Sequence, residues 1–292
     1  MMEIRSNHVL GLSQSGFHRI YYTEWGNPAA EQVVVCVHGL TRNCRDFDTL
    51  AQALAGDCYV VCPDVAGRGR SDWLPNKLDY NYPQYLADMN ALIARITTDG
   101  RKQRVYWVGT SMGGLIGMLL AAQPGTPIVK LVMNDVGPLV PKAALERIGH
   151  YVGKDPHFGT LDELEAYVRL VSASFGPLTD AQWRHLTETG AKQFDDGSWG
   201  MVYDPAIGDA FRNITLTDVD LWQYWDHVSC PTLVTHGTES DLLLPDIVSG
   251  MRERGPRPRI VEFPGVGHAP MLMAEDQVRA VRNFLLASPA SQ

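Results

Sequence analysis

Short apolar runs of strand length alternate along the chain with segments whose apolar residues recur at helical spacing. Gln32–Val37 (QVVVCV) and Cys58–Cys62 (CYVVC) are continuous apolar runs, a pattern typical of strands buried on both faces. Between them, residues 46–55 place their apolar side chains on one side, which predicts a helix. The same reasoning predicts further strands at His18–Trp25, Arg104–Val108, Ile128–Met133, Cys230–Thr235 and Arg259–Phe263. This alternation predicts an α/β fold with a doubly wound, mostly parallel sheet flanked by helices.

The alternation stops between residues 138 and 227. Helical patterns without a strong buried strand dominate this part of the chain, at Ala143–Val152, Leu161–Phe175 and Asp180–Ala191. The segment is also rich in aromatic residues. We therefore predict a helical cap at 138–227, inserted into a core that is formed by residues 1–137 and 228–292.

The most informative stretch is Gly109-Thr110-Ser111-Met112-Gly113, which joins the predicted strand Arg104–Val108 to a predicted helix at 112–123. A Gly-x-Ser-x-Gly sequence at such a junction turns the backbone sharply and exposes the serine hydroxyl. Glycines on both sides leave room for the strand and the helix to pack closely. Ser111 is therefore predicted to be a nucleophile at the carboxyl end of the sheet, where ligands bind in open α/β folds.

A serine hydroxyl needs a base to accept its proton and a carboxylate to orient that base. His268 follows the last predicted strand in a loop that contains glycine, and we predict that it is the base. Asp241 follows the preceding strand and gives the chain order Ser, Asp, His that this architecture uses, so we predict that it is the acid. Asp135, which follows strand Ile128–Met133, is the alternative acid, because both strand ends lie at the same edge of a parallel sheet.

The negative charge that forms on a substrate carbonyl oxygen needs two hydrogen-bond donors aimed at one point. The backbone N–H of Met112 is one predicted donor of this oxyanion hole. Leu40, in the loop after strand 32–37, is predicted to supply the other. His38 and Gly39 let this loop fold close to the site, and we assign these two residues and Arg42 to substrate binding.

The loop Asp64–Ser71 is rich in glycine and arginine but lacks the common phosphate-binding glycine patterns. We predict that it is a structural loop. Arg42, Arg68 and Arg70 could each bind a carboxylate of the substrate, but the preferred interpretation is that they are solvated loop residues.

Composition limits the class of protein. The 292 residues are 45% hydrophobic and 20% charged with a formal net charge of −8, which argues against disorder, membrane spans and a nucleic-acid partner. Five cysteines without a Cys-x-x-Cys motif, and an N-terminus without a secretion-signal pattern, predict free thiols in a cytoplasmic protein. No cluster has metal-ligand spacing, so neither a metal nor another cofactor is predicted. The expected partner is a small-molecule substrate, with no nucleic acid and no membrane. The sequence leaves the oligomeric state open.

Six motifs together resemble the α/β-hydrolase superfamily over almost the whole chain. They are His38-Gly39, Asp64–Ser71, Gly109–Gly114, Asn134–Pro138, Ser240-Asp241 and Gly267-His268. The resemblance implies an eight-stranded sheet, a cap inserted after the sixth strand, and Ser111, Asp241 and His268 as the catalytic triad. A serine at position 111 argues against the epoxide hydrolases and haloalkane dehalogenases, which use an aspartate nucleophile. Residues 40–43 also lack the glycine run of one class of lipases.

We therefore predict a carboxylesterase-like serine hydrolase. It would cleave an ester of a small-to-medium, largely apolar acyl group through an acyl-enzyme on Ser111. A C–C bond hydrolase of a diketone of the meta-cleavage type, which uses the same triad, and a cofactor-free haloperoxidase-like enzyme are the alternatives among enzymes. A ligand receptor built on the same fold is the alternative outside enzymes.

Overall fold

The strands of the protein were assigned in a computed structural model, which describes residues 4–97, 103–212 and 215–287. In chain order they are β1 (Arg5–Ser13), β2 (Gly16–Trp25), β3 (Gln32–Val37), β4 (Tyr59–Pro63), β5 (Arg104–Thr110), β6 (Ile128–Asn134), β7 (Leu139–Val140), β8 (Ala191–Gln193), β9 (Trp199–Met201), β10 (Val219–Asp220), β11 (Thr232–Gly237) and β12 (Arg259–Phe263). The main sheet has the order β1-β2-β4-β3-β5-β6-β11-β12. Strands β1, β2 and β4 pair antiparallel, and the other neighbours pair parallel. The predicted α/β class with a mostly parallel, eight-stranded sheet is confirmed.

Helices follow most of the parallel strands. In chain order they are α1 (Asp48–Leu54), α2 (Tyr82–Ile96), α3 (Met112–Ala121), α4 (Lys142–Gly149), α5 (Leu161–Val171), α6 (Asp180–Gly190), α7 (Asp209–Arg212), α8 (Trp222–Trp225), α9 (Pro245–Glu253) and α10 (Glu275–Leu286). Short 3-10 turns occur at Cys44–Phe47, Lys77–Asp79, Ala173–Phe175 and Pro205–Gly208. Within the described residues, no helix combines the length and the apolarity needed to cross a bilayer.

Two hydrophobic cores, one on each side of the sheet, hold these layers together. On one face, α1 and α10 bury side chains such as Leu50 and Phe284 against β3, β4 and β5. On the other face, α2, α3 and α9 bury side chains such as Met89, Ile116 and Met251. Helices on both faces explain why the central strands are continuous apolar runs, because each side chain meets a covered surface.

Strand β1 is the strand of the main sheet that the hydrophobic pattern did not predict. It pairs with β2 at the edge of the sheet, from Arg5 opposite Glu24 to Ser13 opposite Gly16. Polar side chains and exposed apolar ones share this strand, and Leu10 and Leu12 are more than half exposed. Its stability therefore comes from the backbone ladder of the hairpin rather than from burial, which leaves little signal in the hydrophobic pattern.

The segment 138–227 contains α4 to α8 and two short antiparallel pairs, β7 with β10 and β8 with β9. Its helices α5 and α6 share a small apolar cluster with Met271 and Met273 of the loop after β12. Backbone hydrogen bonds also join it to the loop after β4, from Gly69 N–H to the Val202 carbonyl at 2.9 Å. These contacts hold the segment over the carboxyl ends of the strands. Its boundaries at 138 and 227 as a separate cap stay a prediction.

Candidate active site

Ser111 lies at a sharp turn between β5 and α3. Its φ of 52° and ψ of −117° put a non-glycine residue in a strained conformation. The turn is possible because Gly113 passes close to β3: a Cβ on Gly113 would lie 2.0 Å from the Val37 carbonyl oxygen. The Ser111 backbone N–H is fixed at 3.0 Å from the Asn134 carbonyl of β6. The serine hydroxyl is thereby presented at the carboxyl edge of the sheet.

His268 connects this hydroxyl to a buried carboxylate. Its Nε2 lies 2.9 Å from Ser111 Oγ, and its Nδ1 lies 2.8 Å from Oδ2 of Asp135. Asp135 is fully buried and also accepts hydrogen bonds from the Gly237 N–H at 2.9 Å and the Ser240 hydroxyl at 2.7 Å. Nδ1 therefore carries the proton, which leaves Nε2 free to accept the proton of Ser111.

Asp241 does not reach His268, which corrects the expectation that it orients the base. Its carboxylate is about half exposed and pairs with Arg147 of α4, whose Nη2 donates to Oδ1 at 2.9 Å. After β11 the chain turns so that Ser240, rather than Asp241, points at the buried Asp135. Strands β6 and β11 are neighbours, and Asp135 takes a left-handed φ of 54° directly after β6, which brings its short side chain under the histidine.

Leu40 and Met112 have backbone N–H groups without a protein acceptor among the hydrogen bonds of the described residues. Arg68, which is fully buried, contacts both residues: its Nε donates to the Leu40 carbonyl at 2.8 Å, and its Nη2 lies 3.6 Å from Met112 Sδ. Its Nη1 donates to the Tyr85 hydroxyl at 2.9 Å. Arg68 therefore fixes the Leu40 carbonyl, directly after the N–H that we assign to the oxyanion hole, a role that its position in a glycine-rich loop did not reveal.

His38 is a structural residue rather than a substrate contact, which corrects its assignment to binding. It is fully buried, and burial lowers the pKa of its imidazole to about 3, with the nearby Arg68 and Arg42 charges acting in the same direction. Its Nδ1 lies 2.7 Å from the Gly39 carbonyl, and its Nε2 accepts from the Val65 N–H at 3.0 Å. A neutral His38 thus joins the loop after β3 to the loop after β4.

Arg42 and Gly39 line the cavity above Ser111, as expected for substrate contacts, but Arg42 is not solvated. Its guanidinium binds Asp46 with two hydrogen bonds of 2.9 and 2.6 Å, so its charge is already balanced. The other two arginines differ from each other. Arg68 is buried, whereas the Arg70 guanidinium lies on the ring of Tyr21 at the surface.

The Asp64–Ser71 loop is structural, as expected. The Asp64 carboxylate accepts the Cys44 and Arg70 N–H groups at 2.7 and 2.8 Å, and burial raises its pKa. The close approach of Gly69 to this carboxylate leaves no space for a Cβ, which explains the glycine.

Two cavities meet at Ser111, and Leu40 and Ile148 border both. The first, which we name the polar arm, has a volume of about 100 Å³ and contains the charged side chains. Its lining residues are Gly39, Leu40, Thr41, Arg42, Asp46, Phe47, Thr110, Ser111, Arg147, Ile148, Tyr151, Tyr167, Val171, Ser172, Ser174, Phe175, Met201, Tyr203, His268, Ala269, Pro270 and Met271. The second, which we name the apolar arm, has a volume of about 320 Å³. Its lining residues are Leu40, Tyr80, Asn81, Tyr82, Tyr85, Ser111, Met112, Leu115, Val136, Val140, Leu145, Ile148, Ile207, Ala210, Phe211, Val219 and Leu242. Among the residues that the structure describes, charged side chains and His268 line the polar arm and not the apolar arm.

The segment 138–227 contacts the histidine loop directly. The Ser174 hydroxyl donates to the His268 carbonyl at 2.6 Å, and the Gly267 N–H donates to the Ser174 carbonyl at 2.7 Å. Asn134 holds the same loop from below, since its Nδ2 donates to the Pro270 carbonyl at 2.7 Å. These contacts, which no sequence motif indicated, fix where the imidazole lies relative to Ser111.

Comparisons with known proteins agree with this fold. The model of the family described as "Alpha/beta hydrolase family" matches residues 34–281. The chain is 47% identical to a 3-hydroxybutyrate-oligomer hydrolase of Cupriavidus necator, over 96% of this chain and 97% of the relative. It is 28% identical to the esterase YbfF of Escherichia coli, over 86% of this chain and 92% of the relative. A solved hydrolase structure from Rickettsia typhi superimposes with a TM-score of 0.89 at 30% identity, covering 97% of this chain and 99% of that one.

Proposed function

Because the chain belongs to the α/β hydrolase family and is a carboxylesterase-like enzyme, we propose that it cleaves carboxylic esters through an acyl-enzyme on Ser111. The observation that carries this proposal is the hydrogen-bonded line from Ser111 Oγ through His268 to Asp135, with distances of 2.9 and 2.8 Å. A neutral imidazole oriented by a buried carboxylate is the base that a serine nucleophile needs.

In the proposed reaction, Ser111 Oγ attacks the ester carbonyl carbon while His268 Nε2 takes the serine proton. The carbonyl oxygen becomes negatively charged and accepts hydrogen bonds from the Leu40 and Met112 N–H groups. The bond to the leaving oxygen then breaks, and that oxygen takes the proton from His268. A water molecule, deprotonated by His268, attacks the acyl carbon, and the proton returns to Ser111 as the carboxylic acid leaves.

The two arms give this substrate a direction. The leaving oxygen must come within hydrogen-bond reach of His268 Nε2. His268 lines only the polar arm, so the alcohol part of the ester belongs there. The acyl chain then occupies the apolar arm, whose lining residues carry no charge and include Met112 of the proposed oxyanion hole. Residues 138–227 line both arms, which supports the assignment of this segment as a substrate-selecting cap.

The relative from Cupriavidus necator extends the proposal to a substrate class. That protein is named for 3-hydroxybutyrate oligomers, and it is 47% identical to this chain over nearly its whole length. A 3-hydroxybutyryl group is a short acyl chain of a size suited to the apolar arm, and its leaving group is a hydroxy acid suited to a polar one. We therefore include short oligoesters of 3-hydroxy acids among the proposed substrates.

Active-site labelling tests the chemistry. A fluorophosphonate probe is expected to label the wild-type protein and to leave the Ser111→Ala variant unlabelled. Ser249→Ala, which removes a serine of α9 outside both arms, is the matched control and should label like wild type. Labelling that survives Ser111→Ala, or wild-type protein that is never labelled, would overturn the proposal.

A series of p-nitrophenyl esters tests the acyl preference. We expect kcat/KM to be high for butyrate and hexanoate and to fall for palmitate, because a sixteen-carbon acyl chain is larger than the apolar arm of about 320 Å³. A kcat/KM that keeps rising up to palmitate would contradict a small-to-medium acyl site.

A further inference from the structure

We propose that Arg147 binds a carboxylate carried by the alcohol part of the ester, so that the enzyme selects esters of hydroxy acids with a free carboxyl end. This inference rests on the proposed ester hydrolysis at Ser111 and adds the charge and the position of a group that the leaving alcohol must carry. It assigns a binding residue that the catalytic chemistry itself does not require.

The charges around the polar arm single out Arg147. Arg42 and Asp46 both line the arm and neutralise each other through two hydrogen bonds. Arg147 also lines the arm, but its partner Asp241 does not. Among the described residues, Arg147 is therefore the one positive charge lining the arm whose counter-charge lies outside it, which favours an anionic group of the substrate.

The geometry of the Arg147 guanidinium leaves room for a second carboxylate. Asp241 faces its Nε and Nη2, with the Nη2 hydrogen bond at 2.9 Å. An arginine has five N–H donors, and this arrangement leaves three outside the ion pair with Asp241, two on Nη1 and the second one on Nη2. The neighbouring Tyr151 hydroxyl lines the same arm; burial raises its pKa, whereas the Arg147 charge and hydrogen bond lower it. The ion pair with Asp241 fixes the orientation of the Arg147 guanidinium, which is thus prepared to bind a planar, two-oxygen ligand such as a carboxylate.

The position within the arm fixes which part of the substrate is recognised. Arg147 and His268 line the same cavity, and the leaving oxygen must lie beside His268. In an ester of a 3-hydroxy acid, the carboxylate is separated from that oxygen by only two carbon atoms and the carboxyl carbon. The carboxylate therefore enters the polar arm together with the leaving oxygen, while the apolar arm, which has no charged lining residue, holds the acyl group. The enzyme would release one hydroxy acid at a time from the free carboxyl end.

The experiment compares two substrates that differ only in this charge. The linear dimer of 3-hydroxybutyrate and its terminal carboxamide share the acyl group and the scissile ester bond. We expect wild-type kcat/KM to be about 10- to 100-fold higher for the free acid, with most of the difference in KM, as for a charge-assisted hydrogen bond. Arg147→Gln should remove this preference and lower kcat/KM for the acid by a similar factor. Its loss on the carboxamide and on p-nitrophenyl butyrate should stay within about threefold.

Arg184→Gln is the matched control, because Arg184 is an exposed arginine of α6 that pairs with Asp162 and Glu188 and lines neither arm. It should keep the wild-type preference. Equal wild-type kcat/KM for the acid and the carboxamide, or an equal loss on all three substrates in Arg147→Gln, would overturn the inference. Turnover of p-nitrophenyl butyrate without turnover of the dimer acid would also overturn it and leave ester hydrolysis intact. Hydrolysis that survives Ser111→Ala would instead overturn the proposed function.

Discussion

Replacement of Asp135 by asparagine tests the proposed orientation of His268 most directly. The Asp135 carboxylate has two kinds of partner: Oδ1 accepts the Gly237 backbone N–H, and Oδ2 accepts His268 Nδ1–H and the Ser240 hydroxyl. An asparagine places an NH₂ group at one of these two positions. At the first position it would face a backbone N–H that cannot change, and a buried unsatisfied donor costs about 1–3 kcal/mol.

At the second position His268 can adapt, because its proton can move from Nδ1 to Nε2 and leave Nδ1 as an acceptor. The Ser240 Oγ already accepts the Leu242 and Leu243 N–H groups, but its own hydrogen can turn away from the amide. We therefore expect the amide nitrogen introduced by Asp135→Asn to face His268, which fixes the tautomer with Nε2 protonated. That tautomer cannot accept the proton of Ser111, so kcat should fall by about 10³- to 10⁴-fold, equivalent to roughly 4–5.5 kcal/mol of transition-state stabilisation.

The measurement is kcat with p-nitrophenyl butyrate, together with the thermal midpoint of unfolding for each variant. Asp241→Asn is the matched control, because it makes the same chemical change at the half-exposed carboxylate that pairs with Arg147. An exposed pair is worth about 0–1 kcal/mol, so its kcat with this neutral ester should stay within about threefold of wild type. A large loss in Asp241→Asn combined with near-normal turnover in Asp135→Asn would refute the assignment of Asp135.

Two further predictions concern buried polar residues that take no part in the proposed proton transfer. Arg68→Lys keeps the positive charge but loses the guanidinium fork that holds the Leu40 carbonyl, so kcat should fall at least about tenfold with a smaller change in KM, whereas the surface variant Arg70→Lys should match wild type. Equal kcat values for both variants would contradict the positioning role. In the buried pair His18–Asp88 at 3.0 Å, burial lowers the pKa of His18, but the hydrogen bond and charge of Asp88 outweigh it and raise that pKa above 6.5. The pair should therefore stabilise the fold fully below pH 6.5 and lose this contribution as pH rises through the raised pKa. In urea titrations Asp88→Asn should cost about 1–3 kcal/mol at acidic pH and less in alkaline buffer, and a cost that grows with pH would contradict this.

The parts of the site that follow from local pattern could be predicted from the sequence. The strand, turn and helix around Ser111, and the loop position of His268, depend on residues within a few positions of each other, and β5 and α3 lie where the pattern puts them. The proposed oxyanion donors follow from the same local logic, since Leu40 lies in the loop after β3 and Met112 begins α3 directly after the turn at Ser111.

The remaining features depend on contacts between distant segments, and local pattern carries no record of them. Arg68 and Arg42 are typical solvated residues by composition, yet the Leu40 carbonyl and Asp46 provide partners that permit burial. His38 is a polar residue at a strand end, yet the Val65 N–H makes it part of the interior. In each case the deciding hydrogen bond comes from outside the local pattern, and only the folded arrangement of the chain brings it close.

The choice between Asp135 and Asp241 shows the same limit at the centre of the site. Asn134 of β6 is in register with Thr235 of β11, so the residues after both strands emerge side by side beneath the histidine loop. Either strand could therefore supply the acid, and chain order alone cannot decide between them. In the structure Asp135, directly after β6, binds His268, and Ser240 after β11 contributes a hydroxyl that binds the same carboxylate. Asp241 is then free to pair with Arg147 of the inserted segment, outside the proton path. In the proposed mechanism, the proton transfer and the recognition of the leaving group therefore depend on different carboxylates, and substitutions at Arg147 and Asp241 should alter which esters are selected while the reaction at Ser111 continues.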